Sequence, residues 1–336
     1  MNDHPPRPTR SSRQDRSRPT FSRVLDDGRL VESIYRPAER RTLFCVWQAG
    51  EWHDEPSLEV DGERLVPYSS HNNLLQHGVV LLPSGPAEYE SEQALLDEVQ
   101  AFIHRYVDLT PTFERLAAYY VLLTWIYDGF NELPYLRVRG DPGSGKTRFL
   151  QIVGSLCYKP IFASGASTVS PIFRILDIVQ GTLVMDESDF RFSDERAEVV
   201  KILNNGNARG FPILRSELVG RHEYDPRAYT VFGPKIVATR GFFEDRALES
   251  RFLTEDLGRS RMRADIPVTL PAVAQDDYAH AARILDIPGE VTPTSLQLRE
   301  GLAFADWQEV GKRLGLMYRA LGFWTGDWLR YGERTY

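Results

Sequence analysis

Long apolar runs are missing from this chain of 336 residues, and no stretch approaches the length of a membrane span. Its N-terminus is polar and rich in Pro and Arg, without the apolar region of a signal peptide. A cytoplasmic location with no membrane partner is therefore expected. Cysteine is scarce. Cys45 and Cys157 have no metal-ligand spacing and no disulfide framework, and Cys157 reads as a small core residue on a helix. The net charge of −7 argues against a uniformly basic nucleic-acid coat but leaves room for a local basic channel.

The most informative segment is Gly140-Asp141-Pro142-Gly143-Ser144-Gly145-Lys146-Thr147, a complete G-x-x-x-x-G-K-[ST] phosphate-binding loop. Leu136-Arg137-Val138 before it reads as a short buried strand, and Arg148 to Val153 after it opens an amphipathic helix. Glycines let the backbone curl so that successive N–H groups face phosphate oxygens, at the positive end of the helix. Lys146 is expected to reach the β- and γ-phosphates, and the Thr147 hydroxyl to ligate Mg²⁺.

About forty residues on, Gly181-Thr182-Leu183-Val184-Met185-Asp186-Glu187 is an apolar run ending in two acids, the pattern of a buried parallel strand. Asp186 is placed to hold Mg²⁺ through its water shell, and Glu187 to orient and deprotonate an attacking water. That pairing favours a hydrolase over a kinase. No N/T-K-x-D guanine-reading motif is present, so ATP is favoured over GTP.

Around these motifs the chain divides into five stretches. Residues 1–23 carry Arg7, Arg10, Arg13, Arg16, Arg18 and Arg23 among Pro and Ser and read as a disordered tail, either a loose nucleic-acid arm or simply solvated. Residues 24–90 read as a small β-rich module with strands near 43–47, 57–60 and 78–82 and a hairpin turn at Asp61-Gly62. Residues 91–132 form a helical connector of two helices, the second heavy in aromatics and read as a packing helix. A nucleotide-binding core follows over 133–260, with strands ending near Arg139, Ala163, Met185 and Ala238, and 261–336 is a helical region with a last helix from Phe304 to about Leu321. Strands alternating with helices imply an α/β, three-layer αβα architecture around a parallel sheet.

Lys235-Ile236-Val237-Ala238-Thr239 is a further strand with a polar end; Thr239 either touches the γ-phosphate or starts a turn. In Ala247-Leu248-Glu249-Ser250-Arg251-Phe252 an arginine sits on an expected helix, with Arg246 a competing candidate. Between the acid pair and Thr239, two strands near 211–217 and 223–232 form a hairpin with Gly220-Arg221-His222 at its tip. Together these segments, over roughly 135–256, resemble the AAA+ P-loop ATPases. More closely, "SPIFRILD", "GTLVMDESD", "ILNNGNARG", "VFGPKIVAT" and "ALESRF" resemble the helicase-type ATPase domains of phages, plasmids and integrated elements.

The resemblance implies an AAA+ core, preceded by the β-rich and helical module, that binds ATP and Mg²⁺. It further implies a ring, a homo-hexamer, in which Arg251 reaches the ATP of a neighbouring subunit. The hairpin would project into the ring channel, where Arg221, His222 and Arg215 meet single-stranded or forked DNA. A primase or another replication protein is an expected partner. Two other readings stand beside the helicase or helicase-loader one: an ATP-driven protein remodeller or defence switch, and an ATPase scaffold. The C-terminal Trp324 to Glu333 resembles a segment of mobile-element proteins that usually continues further, so a truncated form is one expectation; aromatics that cap the C-terminal helices are the other.

Overall fold

The computed structural model describes residues 17–36, 38–49, 51–86, 91–164, 169–186, 193–219, 223–258, 263–267 and 270. Its N-terminal part is two small sheets. One joins β1 (Ser17–Thr20), β7 (Glu63–Pro67) and β6 (Leu58–Val60); the other runs β2 (Ser22–Val24), β3 (Leu30–Arg36), β4 (Arg41–Gln48) and β5 (Glu51–Glu55). They close over Leu25, Val31, Phe44, Val46, Leu58 and Leu65. The turn at Asp61-Gly62 joins β6 to β7 as the sequence indicates, with φ of 53° and 77°.

Two expectations change here. All of β1 and all but Val24 of β2 lie inside the stretch read as a tail. Arg-rich composition hid the anchor: Phe21 is buried and stacks on Tyr68 with ring centroids 4.1 Å apart. Residues 78–82 are not a strand. Val80 makes a single bridge to Ile161, while Val80, Leu81 and Leu82 bury as a connector.

The connector is helical as expected. After the short α1 (Asn73–Gln76), α2 (Glu92–Tyr106) starts at Ser91, whose hydroxyl accepts from Ala94 N–H, and α3 (Pro111–Trp125) starts at Thr110 with Pro111 in its first turn. The aromatic α3 is a packing helix. Its Tyr120 hydroxyl accepts from Lys235 N–H at 2.9 Å, and Trp125 Nε1 donates to Leu156 O at 2.9 Å.

The core follows as β8 (Tyr135–Arg139), α4 (Lys146–Ser155), β9 (Ile161–Ala163), α5 (Val169–Val179), β10 (Leu183–Asp186) and α6 (Ser193–Asn205). Next come the hairpin β11 (Ile213–Val219) and β12 (Glu223–Tyr229), then β13 (Lys235–Thr239), α7 (Arg246–Glu249) and β14 (Phe252–Asp256). Five strands form a sheet in the order β14-β8-β13-β10-β9, every pairing parallel.

Side-chain alternation explains why both faces are covered. Leu136, Val138, Val184, Ile236, Ala238 and Leu253 pack with α2, α3 and α4. Tyr135, Leu183, Met185, Val237 and Phe252 pack with α5, α6 and α7. A parallel sheet apolar on both faces is stable only between two helical layers. The chain leaves β8 for β9 at one edge and ends with β14 on the other side of β8. Ligands of such sheets bind at the strand C-terminal ends beside that reversal, where the phosphate loop lies.

The sequence did not announce β14. Arg251 and Phe252 continue a helix-like run, but α7 stops at Glu249 and the chain turns into a fifth strand. Of the expected C-terminal helical region, the helix from Phe304 to Leu321 lies outside the described residues.

Candidate functional site

β8 delivers the chain into the loop 140–147, and α4 carries it away. Two glycines make the loop possible. Gly145 takes φ of 97°, in the left-handed region, directly before the first turn of α4. At Gly140 an added Cβ would lie 2.6 Å from Ser144 Oγ and 2.9 Å from Leu257 O, so only glycine fits there. No side chain caps the N-terminus of α4, whose first turn holds no acidic residue. The first N–H groups of a helix lack intrahelical partners, and an anion is the natural acceptor at such an end.

Lys146 is buried, and its ammonium donates to Gly140 O at 2.6 Å and Asp141 O at 2.8 Å. The cation thus folds across the loop. Lys146, Thr147 and Asp186 line one cavity of about 360 Å³ with Pro142, Gly143, Gly145, Arg148 and Arg240. The structure therefore brings together the loop lysine, the loop hydroxyl and the acid at the end of β10. Glu187 lies outside the described residues.

A second cavity of about 760 Å³ shares Gly143, Gly145 and Arg148 with the first and is walled by residues 106–110 and 254–258. Ser144 also lines it, and its buried Oγ has no hydrogen-bond partner. A buried hydroxyl without a partner is costly unless a ligand or water satisfies it. Such a loop, with a helix end and an adjoining larger space, fits a nucleoside triphosphate. Thr147 and Asp186 supply the hard oxygen donors suited to Mg²⁺. Among the described residues no cluster of three or more His, Cys, Asp or Glu offers another metal site.

At the end of β13 the structure shows the second of the two readings of Thr239. Thr239 is fully buried and its hydroxyl donates to Gly241 O at 3.0 Å, so it starts a turn. Arg240, one residue on, is the β13-end side chain that lines the phosphate-loop cavity. Sequence reasoning missed Arg240, although a cation directly after the fourth core strand is a signal that could have found it.

Arg251 is not on a helix. It lies in the turn before β14, and its Nη1 donates to Asn204 O at 2.8 Å and Asn204 Oδ1 at 3.1 Å. In this arrangement the guanidinium is committed to the C-terminal end of α6 in its own chain, a favourable place for a cation. Arg246, the competing candidate, is exposed on α7.

The hairpin forms with the expected strands, and among the described residues its arginines pair within the chain. Arg215 pairs with Glu198 and stacks 5.1 Å from the Phe173 ring centroid, so it faces α5 and α6 rather than standing free for DNA. Arg227 pairs with Glu217, and Arg209 donates to Asp128 O and Phe130 O. Arg221 and His222 lie outside the described residues. On the other hairpin face, Leu214 and Tyr224 are 67% and 72% exposed, with Phe211 nearby at 62%.

Behind the loop, Arg137 of β8 is buried and holds both oxygens of Glu249 at 2.7 Å, tying α7 to the central strand. Burial pushes the Glu249 carboxyl up, but hydrogen bonds from Arg137 and Phe243 N–H outweigh it and hold the group below its ordinary value. No helix among the described residues is long and apolar enough to cross a membrane.

No family model and no curated protein matches this chain. Among solved structures it is similar to the JCV helicase, at 14% identity over 67% of this chain and 66% of that one, with a TM-score of 0.34. It is also similar to the NrS-1 C-terminal region, at 8% identity over 84% of this chain and 72% of that one, with a TM-score of 0.32. The chain thus spans just under two thirds of the JCV helicase chain, and likeness at this level carries nothing about activity.

Proposed function

We propose that this chain is an ATP hydrolase of AAA+ type that acts on DNA, as a helicase or helicase loader, and works as a ring. The observation that carries the hydrolase reading is one cavity lined by Lys146, Thr147, Asp186 and Arg240 at the C-terminal ends of parallel strands. In this reading the triphosphate lies in the smaller cavity and the nucleoside in the larger one. Lys146 leaves the Gly140 and Asp141 carbonyls and turns its ammonium to the β- and γ-phosphates. The uncapped amides of α4 hold phosphate oxygens without reorganising. Mg²⁺, held by Thr147 and by Asp186 through water, supplies charge neutralisation at the phosphates when bound. Glu187, next after Asp186, orients the attacking water.

DNA as the substrate rests on the hairpin and on the residues quoted for the helicase-type resemblance. A specific observation favours a second reading. The exposed Phe211, Leu214 and Tyr224 give the hairpin an apolar side, better suited to protein than to phosphates. ATP hydrolysis measured with no DNA, single-stranded DNA and duplex DNA across a salt series separates the two. DNA stimulation that weakens steeply with salt supports the DNA motor, because phosphate contacts release counterions. No stimulation at any salt concentration favours the protein remodeller.

A further inference from the structure

The β-rich module meets the nucleotide-binding core through buried polar groups. Ser22 of β2 and Glu32 of β3 are register partners. In the turn between α4 and β9, the Tyr158 hydroxyl donates to Glu32 Oε2 at 3.0 Å. The Lys159 ammonium donates to Ser22 Oγ at 2.7 Å and lies 3.9 Å from Glu32 Oε1. Glu32, Tyr158 and Lys159 are each 1% exposed. The core side of the turn is tightly held as well. Tyr158 N–H donates to Thr124 Oγ1 at 2.9 Å, and a Cβ on Gly181 would lie 2.1 Å from Lys159 O. Lys159 takes φ of 39°, a left-handed conformation that a residue with a side chain keeps only where its surroundings impose it. This turn closes α4, whose 10 residues begin at Lys146, so the polar seam and the phosphate loop stand at opposite ends of one helix about 15 Å long.

We propose that Ser22, Glu32, Tyr158 and Lys159 form a latch through which the β-rich module and the nucleotide site regulate one another. The latch rests on the reading of the phosphate loop as a nucleotide site. Phosphates held by the first amides of α4 fix the position of that helix, and with it the turn that Ser22 and Glu32 fit. Nucleotide therefore favours the docked module, and the docked module raises nucleotide affinity by the same factor. The chemistry of the seam suits a joint that opens. Glu32 and Lys159 gave up hydration to meet, so the pair adds little net stability and regains water on opening, whereas loss of one partner strands the other.

The test uses the full chain and three variants: Lys159→Met, Glu32→Gln combined with Lys159→Met, and Ser22→Ala. Each is followed by amide hydrogen exchange over residues 22–36, with and without saturating ADP and Mg²⁺, and by fluorescent-nucleotide titration with ADP. In the wild type ADP should slow exchange over 22–36 by at least about fivefold. Lys159→Met strands the Glu32 carboxylate, so exchange there should quicken and the ADP effect should shrink. Its ADP affinity should fall by about fivefold or more, although the changed residue lies at the far end of α4 from the loop. The combined variant strands no charge and should regain most of the wild-type affinity. Ser22→Ala removes one hydroxyl and no charge; it should shift exchange and affinity the same way by smaller factors, and it carries the test if Lys159→Met does not fold. ADP that binds the wild type but leaves exchange over 22–36 unchanged overturns the latch. So do variants with quickened exchange and wild-type ADP affinity. A wild type that binds no ADP overturns the nucleotide reading instead, and the titration reports that separately.

Discussion

The Arg251 guanidinium meets Asn204 twice, through the backbone oxygen at 2.8 Å and the side-chain oxygen at 3.1 Å, and so closes the end of α6 against the start of β14. The carbonyls that terminate a helix have no partner within it, and a cation there satisfies them and the helix dipole together. Arg251→Ala should therefore destabilise the fold by about 1.5–3 kcal/mol, the usual size for hydrogen bonds to a charged group. Urea unfolding of the two proteins checks this. Equal midpoints with equal slopes would show that the contact contributes nothing.

Arg137 and Glu249 should be far more sensitive to change. Glu249 is itself part-exposed, but removing it strands the buried Arg137 charge in the interior, a loss of about 3–5 kcal/mol. Glu249→Ala should fall in that range by denaturant unfolding and loosen α7. The pair also predicts an acid response. Glu249 titrates below its unfolded value of 4.5, so the pair's contribution is present above that pH and lost as the pH falls through the folded value. An acid-unfolding curve for Glu249→Gln parallel to the wild type would remove this carboxylate from the account.

Lys235 should make stability depend on pH in the opposite region. Its ammonium is fully buried, donating to the Gly206, Val231 and Gly233 carbonyls, and burial lowers its pKa from 10.5 to about 7. Between those values the unfolded chain binds more protons than the folded one, so this group makes stability rise with pH. Lys235→Met should be less stable, because three carbonyls lose their donor, and its deficit should widen from pH 7 to pH 9. Thermal unfolding at several pH values measures this; parallel curves would contradict it.

The phosphate loop should fail by crowding before the fold does. A Cβ at position 140 meets Ser144 Oγ and the Leu257 carbonyl, so Gly140→Ala must shift the loop or the end of β14. Nucleotide affinity should fall at least about tenfold, which corresponds to 1.4 kcal/mol, while circular dichroism stays like that of the wild type. Unchanged affinity would mean that the loop adapts at no cost.

How much the sequence revealed followed how local each signal is. The phosphate loop is eight consecutive residues whose types are dictated by backbone curvature and charge, and Asp186 ends a run whose apolarity marks a buried parallel strand. Both stand where the motifs place them. β14 was not legible, because an edge strand paired only with β8 carries the polar Thr254, Glu255 and Asp256 and follows directly on a helical turn. The fate of Arg215 was hidden for another reason: whether a cation stands free or meets Glu198 depends on a helix some seventeen residues away. Phe21 shows the same limit within an Arg-rich stretch, since one buried ring outweighs the composition around it.

The most direct measurement is a fluorescent-nucleotide titration of the wild type and Lys146→Ala with ATP and Mg²⁺, read beside the unfolding midpoint of each protein. Lys146 lies across the loop, its ammonium donating to the Gly140 and Asp141 carbonyls, and in the proposed function it is the compact cation for the β- and γ-phosphates. The variant should stay folded and lose affinity by at least about a hundredfold, near 2.7 kcal/mol. A folded Lys146→Ala that binds ATP as tightly as the wild type, or a wild type that binds none, would contradict the account at its centre.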